Sequence, residues 1–263
     1  WYTDDSHKTL IRGGVGIFTG RVPFVWLSNA YNNTGMESMG TTIEPKQGNN
    51  HTNTAPSLAQ YAKDPMGAAT SVETGALRPD IVTVDKDFKY PQVLRANLAL
   101  EQRLPGDVKL TLEGIYSKTM NNVFFENLAL NNDGEKVYAI PGVEASAAPF
   151  YSKTRSNYYS IVNLRNTNKG YTYAFSASLA KSFDFGLDMS ASYTFGRSKS
   201  VNDGTSSVAY SNWKYNYSRD TNSENELGFS KFDVPHRLMA QLSYTTPKYL
   251  NGWTSTTISV IYN

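Results

Sequence analysis

The residues best suited to acid–base or metal chemistry at neutral pH are the three histidines, His7, His51 and His236. They lie far apart, and none falls in a ligand-spaced pair. His236 precedes Arg237 at the start of an alternating run and reads as an interfacial histidine. Serine is abundant, but no G-x-S-x-G nucleophile turn occurs. Arg12-Gly13-Gly14-Val15-Gly16 has the glycine density of a phosphate loop. Such a loop needs a following Gly-Lys-Ser/Thr and a helix. Ile17-Phe18-Thr19 instead continue as strand, so the glycines read as allowing close packing or a bend.

Binding chemistry is better represented. The segment NDGTSSVAYSNWKYNYSRDTNSENE carries Asp203, Asp220, Glu224 and Glu226 among Tyr210, Asn212, Trp213, Tyr215 and Tyr217. The carboxylates lack EF-hand spacing, so no calcium loop is expected. Tyr and Trp supply rigid amphipathic surface, which makes Tyr210, Asn212, Trp213 and Tyr215 the candidate ligand contacts. Packing of one loop on another is the competing role for the same side chains. Asn32-Asn33-Thr34, Asn50-His51-Thr52 and Asn216-Tyr217-Ser218 match glycosylation sequons and read as chance. No catalytic residue, metal site or cofactor is expected, and the chain is not expected to be an enzyme.

Composition narrows the elements that could hold these residues. With no cysteine, disulfides and thiolate metal sites are excluded. Twenty-five basic against 23 acidic residues give no electrostatic case for a nucleic-acid partner. Aromatics at 13%, with 18 Tyr, beside only 18% charged residues suit an all-β protein. No run is long and apolar enough for a transmembrane helix. A barrel strand needs only about 9–11 residues, alternately apolar, so a membrane remains open. The first residues do not read as a signal peptide, and the last, TSTTISVIYN, read as mid-strand; a fragment of a longer protein is expected.

Three tight connections separate alternating runs and predict hairpins. They are Pro105-Gly106-Asp107, Asp184-Phe185-Gly186 and Thr246 to Gly252. A fourth hairpin is expected to join TLIRGGVGIFTG to FVWLSNAYNN through Arg21-Val22-Pro23. Long connections alternate with the short ones, from Gly35 to Pro91, Glu126 to Asn157 and Val201 to Val234. Within them, Pro56 to Lys63 reads as a short helix and Asn131-Asn132-Asp133-Gly134 as the turn of an inner hairpin. Short turns on one side and long loops on the other match outer-membrane barrels.

The two faces of the strands carry the same message. Leu98, Leu100, Leu110, Leu112, Leu179, Leu187, Met189, Tyr193 and Phe195 fall on one face and are expected to meet lipid. Arg95, Asn97, Glu101, Arg103, Lys109, Glu113, Asp188, Ser190 and Ser192 fall on the other and are expected to face a lumen. Tyr171, Tyr173, Phe175, Tyr193 and Phe195 gather at the long-loop end, and Tyr244, Tyr249 and Trp253 at the short-turn end. Aromatic rings prefer both membrane interfaces, so this spacing reads as two girdles. The pattern from Tyr158 to Ser182 would cover roughly 80 Å as one strand, longer than a bilayer. Its parity slips near Asn166 to Gly170, and a bulge at Gly170 is expected.

Four segments carry a resemblance. LIRGGVGIFTGRVPFVWLSNAYNNTG, FKYPQVLRANLALEQRLPGDVKLTLEGIYSKTMNNV, GYTYAFSASLAKSFDFGLDMSASYTFGRSKSVNDGTSSVAYSNWKYN and FDVPHRLMAQLSY resemble TonB-dependent outer-membrane receptors, more narrowly the Oar-like group of Bacteroidetes. The resemblance implies a bacterial outer-membrane barrel of about 22 strands closed by a plug. It also implies uptake of a large or scarce nutrient, coupled through a TonB complex. Outer-membrane lipid, the protein's own plug, the TonB complex and an unidentified nutrient are the partners it implies. The chain shows no plug and no TonB box. It is therefore expected to be a transmembrane antiparallel segment of about eight strands, part of the larger barrel. Two rivals stay open: a complete small eight-stranded barrel of adhesin or structural type, and a secreted glycan-binding β-sandwich.

Overall fold

A computed structural model of the chain describes residues 3, 8–34, 80–153, 158–249 and 252–263. The expected helix at Pro56 to Lys63, His7 and His51 lie outside them. The strands are β1 (Thr9–Thr19), β2 (Asp80–Val84), β3 (Gln92–Leu104), β4 (Val108–Asn127), β5 (Leu130–Tyr138) and β6 (Ala147–Lys153). They continue with β7 (Ser160–Thr167), β8 (Tyr171–Ser182), β9 (Leu187–Ser200), β10 (Gly228–Phe229), β11 (His236–Thr245) and β12 (Thr257–Tyr262). Two helices, α1 (Phe24–Asn32) and α2 (Ala209–Lys214), interrupt them.

The main sheet runs in the order β1-β3-β4-β8-β9-β11-β12, antiparallel throughout. It is open: β1 and β12 are its two ends. All three expected tight hairpins form, joining β3 to β4, β8 to β9 and β11 to β12. Gly186 shows why the second turn needs glycine. Its φ is +91°, and a Cβ there would stand 2.2 Å from the Thr245 carbonyl oxygen.

The fourth hairpin does not form. β1 pairs with β3, and FVWLSNAYN is the helix α1, entered from Pro23. The apolar residues decide this. Trp26, Leu27 and Ala30 recur at helical spacing and pack on one core, which a strand would split between two faces. Nor is the run from Tyr158 to Ser182 a single bulged strand. The chain breaks between β7 and β8, and both strands pair with the 20-residue β4, one beyond the other. Gly170 takes φ +123° at the break, where a Cβ would meet Thr119 Oγ1 at 2.8 Å. Asn131 to Gly134 do not turn the inner hairpin either. They sit inside β5 at an irregularity in its pairing with β6, and the chain reverses between Tyr138 and Ala147.

The buried core lies at the end of the sheet opposite the tight turns, where the long connections meet. Val22, Trp26, Val82, Val123, Phe125, Val162, Leu164 and Ala209 form it, drawn from α1 and the residues just before it, α2, β2, β4 and β7. Trp26 meets Phe125 edge-on at 5.2 Å between ring centroids. β2 joins β7 in parallel, a pairing across the described residues of the first long connection.

Candidate functional site

Residues directly opposite in an antiparallel pair share a face, so the register sorts the sheet into two surfaces. One row reads Leu98, Gly114, Phe175, Phe195, His236; the next reads Ile11, Leu100, Leu112, Ala177, Tyr193, Leu238. Further rows add Leu110 opposite Leu179, then Met189, Leu242 and Val260 in succession, and then Leu187, Tyr244 and Ile258. All nine residues expected to face lipid lie on this surface. Most of it is exposed, with Leu112 at 41% and Leu98 at 64%, while Leu100, Leu110, Leu187 and Phe195 are half-buried. Full burial of such a side chain is worth about 1.5–3 kcal/mol. A dozen left in water would forgo more than the whole stability of an ordinary domain. A patch this continuous marks a surface that another apolar phase covers.

Two aromatic bands bound it. Tyr171, Tyr173, Phe175 and Phe195 form a chain of ring contacts at the long-loop end, with centroids 5.9–6.3 Å apart. His236 joins them, 5.4 Å from the Phe195 ring, and its Nδ1 is 2.7 Å from the Tyr193 hydroxyl. Tyr244, Phe183 and Phe185 mark the tight-turn end, with the two phenylalanine rings 5.3 Å apart. From the Phe195 row to the Leu187 row is roughly 26 Å along the strand, close to the apolar height of an outer-membrane barrel.

The opposite surface collects the polar set. Arg12, Ala99, Glu113, Ser176, Thr194 and Arg237 form one row, and Glu101, Thr111, Ser178 and Ser192 the next. All nine residues expected to face a lumen lie here, Asp188 opposite Ser243 and Arg103 opposite Lys109 among them. Arg12 Nε donates to Glu101 Oε1 at 3.0 Å and Nη1 to Glu113 Oε1 at 3.4 Å, while Lys109 Nζ reaches Glu101 Oε2 at 2.6 Å. Arg95 Nε donates to Ser117 Oγ at 3.1 Å. Leu10, Phe18, Val93, Ile115, Met239 and Ile261 are the large apolar exceptions on this side. Arg12 is the residue that motif reading missed, because its glycine neighbours drew attention to a phosphate loop. The alternation of Ile11, Val15 and Ile17 against Arg12, Gly14 and Gly16 is the signal that places it. Gly13 also has a close-packing role: a Cβ there would stand 2.7 Å from the Asn97 carbonyl oxygen.

The candidate ligand contacts separate. Tyr210 and Trp213 pack against the core, their rings 5.6 Å apart, and Trp213 Nε1 donates to Asn222 Oδ1 at 3.0 Å. Burial, then the contact with Tyr159, raises the Tyr210 phenol above its usual range. Asn212 is buried; its side chain accepts from the Ser206 N–H and donates to the Ser206 carbonyl oxygen, both at 2.8 Å. Only Tyr215 is broadly exposed. Together with the buried Asn212, and with Thr205, Ser211, Asn216 and Lys231, it lines a polar recess of about 240 Å³. Asp203 fixes one wall, accepting from Ser200 Oγ at 2.5 Å, Ser230 Oγ at 2.7 Å and the Lys231 N–H at 2.7 Å. Burial opposes its ionisation, but these donors outweigh burial and hold its carboxyl below the usual range. The other carboxylates are engaged separately: Asp220 with Tyr151, Glu224 with Arg165 and Glu226 near Arg219.

Residues 1–261 match the family model of an outer membrane beta barrel domain. No curated protein matches the chain, and no solved structure does.

Proposed function

The chain belongs to the outer membrane beta barrel domain family, and from that premise we propose that it forms part of the wall of a TonB-dependent nutrient receptor. Its place is the bacterial outer membrane. The exposed apolar surface meets lipid, and the polar surface lines the lumen. The long-loop end, with its own core and recess, stands outside and receives the ligand.

The observation that carries this reading is the chemistry of the polar surface. Ser176, Ser178, Ser190, Ser192 and Thr194 keep the wall shallow, while Arg12, Glu101, Lys109 and Glu113 concentrate charge in three adjacent rows. A shallow wall with a charged belt suits a folded plug that docks by polar contacts and can be withdrawn. An apolar wall would hold a plug too firmly for cyclic release. Transport then proceeds by conformational change, with no covalent step on the protein. The open ends of the sheet, β1 and β12, pair with further strands of the same barrel, since bare strand edges are unfavourable in lipid.

The test is uptake in cells that depend on this receptor for a scarce nutrient. Removing the energy-transducing TonB complex should abolish the receptor-dependent uptake. Undiminished uptake in its absence would count against this function.

A further inference from the structure

A groove of about 980 Å³ crosses the apolar surface of β3, β4, β8 and β9. Gly114, Ala96 and Ala177 form its low ground, and Leu98, Tyr116 and Phe175 rise beside it. A Cβ at Gly114 would meet only the Phe175 ring, at 3.4 Å, so the missing side chain leaves space rather than relieving a clash.

At the long-loop rim the same surface turns cationic. Tyr116, Tyr173 and Arg197 form the top row of the groove, and Lys118, Tyr171 and Lys199 form the row beyond. The rows are separated by roughly 6.6 Å along the strand. Arg197 is paired with Asp233 at 3.2 Å. The two lysines have no carboxylate partner among the described residues. Lys118 Nζ donates to the carbonyl oxygens of Asn168 and Gly170, at 3.1 and 3.3 Å. Lys199 Nζ stands 4.8 Å from the exposed ring of Phe229, which sits directly opposite it on β10.

A hydrocarbon groove with uncompensated ammonium groups just past its aromatic rim fits a ligand with acyl chains and an anionic head. We propose that this groove binds an anionic lipid of the outer leaflet, its acyl chain over Gly114 and its phosphate between Lys118 and Lys199. The proposal rests on the reading that the long-loop end faces outward. Any lipid can cover the surrounding surface; the two lysines make this position selective for the head group.

The test uses the intact protein in detergent and measures binding of an acylated, diphosphorylated glucosamine disaccharide against its dephosphorylated form. The phosphorylated lipid should bind roughly tenfold more tightly, as two lysines near a head group allow. The joint Lys118→Gln, Lys199→Gln variant should erase that preference. Gly114→Leu, which fills the groove without touching the lysines, should weaken both lipids. Equal binding of the two lipids by the native protein, preference retained in the double variant, or unchanged binding by Gly114→Leu would each overturn the proposal. So would inorganic phosphate displacing the lipid at millimolar concentration. None of these readouts involves uptake, so this site and the transport reading fail independently.

Discussion

Arg12 and Glu101, 89 positions apart in sequence, meet at 3.0 Å on the polar surface of the sheet. The contact ties edge strand β1 to β3 and, through the second arm of Arg12 to Glu113, to β4. Exposed ion pairs contribute about 1 kcal/mol or less, so stability is not the main effect expected of it. Arg12→Ala should leave the folded barrel's heat-modifiable gel mobility unchanged and, on the proposed receptor function, alter uptake by the intact protein. Unaltered uptake in both Arg12→Ala and Glu113→Gln would remove the polar belt from the transport cycle.

The assignment of faces is open to a direct comparison of neighbours. Leu110 and Thr111 are adjacent on β4 and project to opposite surfaces. Leu110→Arg, midway along the apolar belt, should cost about 2–4 kcal/mol in lipid vesicles, as for a cation near a bilayer midplane. Thr111→Arg should cost well under half of that, about 1 kcal/mol. Urea unfolding in vesicles reads both. Equal costs would mean that the sheet has been assigned the wrong exterior.

Trp26 is the keystone of the long-loop core. Its Nε1 donates to the Ser206 carbonyl oxygen at 2.7 Å, and Gly204 packs so closely that a Cβ would stand 2.6 Å from the indole. Trp26→Ala should cost about 3–5 kcal/mol locally. Limited proteolysis should then cut between Val201 and Val234 while the membrane strands stay protected. Cleavage spread across the whole chain would show that the core and the sheet unfold together.

Asp203 gives the recess an acid limit. Its carboxyl binds protons less readily in the folded loop than in an unfolded one, so it stabilises the loop at neutral pH. That contribution is complete above the ordinary aspartate range, about pH 4, and drains away as pH falls through the lower folded value. Tryptophan fluorescence of Trp213, followed from pH 7 down to about pH 3, should show the transition. Asp203→Asn should flatten it; an unchanged acid limb would assign the transition to another group.

The tight turns and the two-faced strands were legible because each depends on neighbours in sequence. Pro105-Gly106-Asp107 needs only its own backbone, with both Gly106 and Asp107 at positive φ. Leu98 and Asn97 declare their faces by alternation alone. The elements that escaped depend on distant partners. α1 is a helix because Trp26 finds Phe125 about a hundred residues away, and β2 is a strand because β7 offers it an edge. Asn131 to Gly134 have turn chemistry, but the pairing with β6 absorbs it as an irregularity. The partition of Tyr210 and Trp213 from Tyr215 was hidden for the same reason: aromatic content does not reveal which rings a core will claim.

The placement of the three tight turns at one end of the sheet has a consequence for how this chain can change over time. In those hairpins the turn itself fixes which residues lie opposite one another. The joins from β1 to β3, β4 to β8 and β9 to β11 are fixed by matching surfaces, since a slip of one residue would turn every leucine inward. Segments inserted at the long-loop end therefore leave the wall in place, and doubling such a loop costs only about 0.6 kcal/mol in closure entropy. The wall is free to stay constant while the long-loop end is rewritten.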